Sequence, residues 1–160
     1  MSKLILAGLL IFIGCQDRKD KPVKPVEIKS NPKKVELSKD KILEKLKKID
    51  SIKFLEDYIV NVINNGMNKL NYPSSPMDGG FALKEDAKDI ARYVVTLSGK
   101  TSSDDQKAKA AAIYYTSNCG GCHGDDGKGL NGTFPDLTLK RLKGIELIKE
   151  ELQRDVKNYM

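Results

Sequence analysis

The chain has 160 residues, of which 39% are hydrophobic and 31% charged. That is apolar material for one modest core under a densely charged surface, which makes one domain with a tail the expectation and excludes a collagen or coiled-coil fibre and a multi-span membrane protein. The net charge of +6 is concentrated early, because Gln16 to Lys48 holds 12 basic residues against 6 acidic ones; the near-neutral remainder argues against a folded nucleic-acid-binding face.

The amino terminus carries Lys3, the ten-residue apolar run Leu4 to Ile13, Gly14-Cys15, and then an abruptly polar Gln16-Asp17-Arg18-Lys19. A basic start, a short apolar stretch and a small residue at the cut are the anatomy of a secretory signal peptide, here residues 1–14. Ten apolar residues fall short of the roughly 20 that a bilayer-crossing helix needs. Gly14-Cys15 resembles the lipobox of bacterial lipoproteins, which implies acylation of Cys15. Phe12 departs from that pattern, so an uncleaved signal anchor and plain secretion stay open, and all three readings imply export. Residues 15–38, rich in Lys and broken by Pro22, Pro25 and Pro32, cannot bury enough surface to offset their chain entropy and read as a flexible, partly polyproline tether.

Residues 39–160 form the expected domain. Ile42, Leu43, Leu46 and Ile49, then Leu55, Ile59, Val62 and Ile63, recur at helical spacing. The break at Asp50-Ser51 and the stop at Asn64-Asn65-Gly66 divide them into two helices. Asn71 to Gly80 holds two prolines and two glycines and must be loop. Leu83 to Leu97 is helical again, with Gly99 as its stop signal. Another helix runs through Ala108 to Tyr115, a glycine-rich loop follows from Gly124 to Phe134, and Leu142, Ile145, Ile148, Leu152 and Val156 mark a last amphipathic helix. Nothing alternates at period two, so the predicted fold class is all-α.

Cys119-Gly-Gly-Cys122-His123 is C-x-x-C-H, the attachment sequence for c-type haem. Two thiols three residues apart on a helical turn can add to the two vinyl groups of one porphyrin, and the adjacent imidazole then reaches the iron. A structural zinc site would need four nitrogen or sulfur ligands, and outside this motif the chain offers only Cys15. A thioredoxin-type redox pair wants a strand before the motif and a sheet around it.

From about Leu37 to Met160 the residues resemble the class I cytochromes c, especially the domains in the two-haem cytochrome subunit of bacterial haem-copper oxidases. In that family a helix bearing a Gly and an aromatic residue leads into the motif, and Ala111 and Tyr115 stand in those places. Phe134-Pro135-Asp136-Leu137 is similar to the family loop whose proline carbonyl accepts a hydrogen bond from the proximal imidazole, which gives Pro135 that role. Ile63-Asn-Asn-Gly66, a methionine loop, Leu83-Lys-Glu-Asp86 and Ala91 to Gly99 are similar to the family's other half. The order is inverted: the methionine half, 39–100, precedes the haem-attachment half, 104–160. The chain is therefore either a circularly permuted single domain or the back of one domain joined to the front of another, and a swapped dimer is a further arrangement.

The resemblance implies one covalent haem c held by Cys119 and Cys122, with His123 and Met77 as iron ligands. Among the other methionines, Met1 leaves with the signal, Met67 abuts a helix end and is expected to pack, and Met160 is terminal. The expected function is that of a lipid-anchored, periplasmic monohaem cytochrome, not an enzyme. It would pass single electrons between partners such as an oxidase or a quinol-oxidising complex, as a monomer or swapped dimer that binds no nucleic acid. A haem enzyme or gas sensor with an open iron position, and a haemless lipoprotein built on a decayed cytochrome, are the alternatives.

Overall fold

Helix caps and glycine stops divide the chain into seven α-helices among the described residues, which are 38–74 and 76–159 of the computed structural model. The expected signal peptide, the expected acylation site Cys15 and the expected tether to residue 37 lie outside them, as does Met160. The first two helices, α1 (Lys39–Lys48) and α2 (Ile52–Asn65), meet at a corner where the Ser51 hydroxyl accepts the Phe54 N–H at 3.2 Å and caps α2. Gly66, at φ 80°, ends α2 in a conformation that costs a residue with a Cβ.

The helix α3 (Lys84–Leu97) packs against α2 and against the pair α4 (Asp105–Ala110) and α5 (Ala112–Asn118). Sequence spacing predicts one helix there. The chain instead breaks briefly at Ala111, whose φ/ψ of −79°/−5° separates the two pieces without changing their course enough to stop Tyr115 N–H donating to Ala111 O at 2.9 Å. Ala87, Ile90 and Ala91 of α3 are fully buried, as is Tyr115 of α5. Burying a side chain of the size of Ile90 stabilises by about 1.5–3 kcal/mol. The motif forms the single turn α6 (Gly120–His123), and α7 (Lys143–Lys157) closes the domain against α1.

Polar contacts fix the join between the two halves. In the linker after α3, Ser103 donates its N–H and its hydroxyl to the two carboxylate oxygens of buried Glu56, at 2.8 and 2.7 Å. Arg92 Nε donates to the Ser103 hydroxyl at 3.2 Å while its guanidinium pairs with Asp89. The linker is thus pinned to both α2 and α3. At the opposite corner Asp50, between α1 and α2, pairs with Arg141 at 2.7 Å and Lys149 at 2.9 Å, which ties that corner to α7 and the segment before it.

Hydrogen bonds from Lys149 and Arg141 hold the Asp50 carboxyl below its usual range. A folded-state value below the unfolded one means that Asp50 contributes stability at pH above about 4, where the unfolded chain's carboxyl is ionised, and loses it as pH falls through the lowered value. Because the pair is half exposed, Asp50→Asn should cost under about 1 kcal/mol at pH 7. It should also flatten the acid limb of the stability-against-pH curve measured by denaturant unfolding; an unchanged acid limb would show that the clamp carries no stability.

Candidate functional site

The site is built on the turn that follows α5. Cys122 N–H and His123 N–H donate to Cys119 O at 3.1 and 2.9 Å, so the two cysteines sit one helical turn apart on one side. Neither forms a disulfide; Cys119 is half-buried and Cys122 exposed. The loop after the turn folds straight back. Gly129 N–H donates to His123 O at 2.8 Å and Leu137 N–H to Gly127 O at 2.7 Å. Gly129 is required here: at φ 75° a Cβ would strike the carbonyl oxygens of Phe134 and Pro135. The Tyr115 hydroxyl donates to Gly124 O at 2.9 Å and anchors the loop to α5.

This fold-back places Pro135 O 3.1 Å from His123 Nδ1. A carbonyl only accepts, so the ring proton sits on Nδ1 and the Nε2 lone pair is free for a metal. Burial pushes the imidazole's pKa down and the Pro135 contact opposes that only in part, so the ring is neutral at physiological pH, as a ligand must be. Phe134 meets the imidazole at a centroid distance of 6.1 Å.

The Cys119 thiol is pushed up to about 11, first by burial and then by neighbouring Cys122. Reactive C-x-x-C pairs work through a lowered thiol pKa, and among the described residues no sheet surrounds this one; both observations speak against a redox dithiol. Among the described residues no group of three or more His, Cys, Asp or Glu side chains converges to hold a metal ion, which leaves the zinc reading without a ligand set.

Cys119, Cys122, His123, Phe134, Pro135 and Leu137 line one side of a mainly apolar cavity, and the methionine half supplies Ile59, Ile63, Met67, Met77, Phe81 and Val94 to the same cavity. Both halves of a single chain therefore enclose one space. Four of the residues singled out from the sequence, together with Met77, come together there; Cys15 lies outside the described residues. Sequence reasoning missed the construction of the methionine loop. Met67 and Met77 form an antiparallel bridge, each donating its N–H to the other's carbonyl, at 2.8 and 2.9 Å. Gly66 and Gly79 flank it where a Cβ would collide with Met77 O and with Asn64 O respectively; those two glycines were the available signal. Ser74 then donates to Thr133 O at 2.7 Å and straps this loop to the haem-attachment half.

Residues 107–158 match the family model for cytochrome c. The helical fold and the C-x-x-C-H turn agree with this match, and a domain of that family implies covalently bound c-type haem. The chain resembles the domains of cbb3-type oxidase subunits. The Cbb3-type cytochrome c oxidase subunit FixP of Azorhizobium caulinodans is 32% identical over 75 residues, covering 47% of this chain and 26% of that protein. The subunit CcoP of Helicobacter pylori is 37% identical over 89 residues, covering 52% and 31%. The chain thus spans under a third of these relatives' length. No solved structure matches it.

Proposed function

We propose that the chain is a monohaem c-type cytochrome that carries single electrons, with residues 39–160 forming one haem domain whose halves stand in permuted order. The observation that carries this reading is the shared cavity: the C-x-x-C-H turn and the methionine loop line it from the two halves of the same chain. The residues suit the group. Two unbridged thiols one turn apart are placed for thioether bonds from Cys119 and Cys122 to a single porphyrin, and His123 offers a free, neutral Nε2 oriented by Pro135. Met77 is the proposed second ligand, and the surrounding apolar side chains keep water from the iron. A bound haem would supply the ferrous/ferric couple, with a potential raised by a Met/His ligand pair and by burial.

Relatives that are oxidase subunits support an oxidase, or a complex that feeds one, as redox partner. The same relatives support a place outside the cytoplasmic membrane. Among the described residues no helix is long and apolar enough to cross a membrane; the proposed attachment is through acylated Cys15, with residues 15–38 as tether.

After expression with haem-maturation machinery, the denatured protein should keep its haem stain on a gel and Cys119→Ser/Cys122→Ser should lose it; a double variant that retains the stain defeats the proposal. His123→Ala should abolish the low-spin spectrum rather than weaken it, since the chain has no second histidine. For the anchor, labelled fatty acid should enter the wild type and not Cys15→Ala, and a wild type that takes up no label removes the lipid attachment.

A further inference from the structure

The methionine loop presents two thioethers to the cavity. Residues directly opposite in an antiparallel pair project their side chains to the same face, with Cβ atoms about 5.5 Å apart when the two exchange both hydrogen bonds. Met67 and Met77 are such a pair, and both line the cavity that His123 lines. A methionine side chain has three rotatable bonds and changes rotamer at little cost, so the separation between the two is within the reach of either sulfur.

The surroundings of Met67 are those of a parked side chain. Its methyl lies 3.5 Å from where a Cβ on Gly144 would stand, and that Cβ would collide with the Tyr58 hydroxyl. The glycine at the start of α7 therefore leaves the room that Tyr58 and the Met67 methyl share. Met67 is half-buried, and Tyr58, Leu70 and Leu142 border the same cavity. The bridge and the Gly66–Gly79 approach hold the two backbones alike, and the Ser74 strap adds a tie on the Met77 arm.

We infer that Met67 is a reserve iron ligand, one that takes the position proposed for Met77 whenever Met77 is removed or its sulfur is blocked. This rests on the haem reading above and on Met77 as the resident ligand. It means that the loss of one methionine does not open the iron to small ligands. The site would then keep its six-coordinate character through damage to a single side chain, as a carrier requires and a gas-binding protein does not.

The test uses the haem-loaded full chain with methyl-labelled methionine. In the ferrous protein a ligating methionine gives a methyl resonance shifted far upfield by the porphyrin ring current. Wild type should show one such signal. Met77→Ala should still show one, at a changed position, and should bind carbon monoxide at least about 10-fold more weakly than Met77→Ala/Met67→Leu, because a competing ligand lowers the fraction of open iron. The double variant should lose the signal and become high-spin. Met67→Leu, which conserves volume, should look like wild type. If Met77→Ala is already high-spin and binds carbon monoxide as the double variant does, Met67 is no ligand and the inference falls while the haem reading stands. If wild type gives no upfield methyl, the Met77 assignment falls and this inference with it; if Met67→Leu alone abolishes the signal, Met67 is the resident ligand and the reserve role is wrong.

Discussion

Where α3 meets α4 and α5, both sides bury small residues: Ala87 and Ala91 from α3, Ala108 and Ala111 from the α4–α5 pair, none more than 1% exposed. Small side chains let backbones approach, and the gap that remains is filled by Tyr115, whose ring lies 5.0 Å from that of Tyr93. This crossing joins the methionine half to the haem-attachment half. It brings Val94 of α3 to the cavity beside Tyr115 and Cys119, and through the Tyr115 hydroxyl it fixes the start of the loop that carries Pro135. Without it, each half would leave an apolar face in water.

Chain order matters little to a cavity assembled in this way. The helices that must touch, α3 and α4, are joined by the short linker 98–104, and Glu56 and Arg92 hold that linker in place. A connection between elements that are already neighbours adds little loop-closure cost. The inverted order proposed for the halves is therefore compatible with one enclosure from a single chain.

Most of the helical architecture was legible in the sequence, because apolar spacing, Ser51 at a cap and Gly66 and Gly99 as stops are local signals. The C-x-x-C-H turn was legible for the same reason, being a short stretch of fixed spacing, whereas the loop to Pro135 was legible through its resemblance to the family loop. What was not legible depends on residues far apart. The break at Ala111 follows from packing rather than from propensity, since Ala is the best helix former. The Met67–Met77 bridge pairs residues on two arms of a loop that reads only as helix-poor, and it moves Met67 from a packing residue at a helix end to a cavity residue. The Glu56–Ser103–Arg92 network links α2, α3 and the linker, and no periodicity announces it.

The central claim is that one chain closes both sides of one haem. The most direct measurement is the optical spectrum of the matured protein recorded across its size-exclusion profile. A single chain that closes both sides of one haem should give a six-coordinate, low-spin haem spectrum coincident with a one-chain particle. A five-coordinate, high-spin spectrum in that particle, or low-spin iron confined to a two-chain particle, would contradict it.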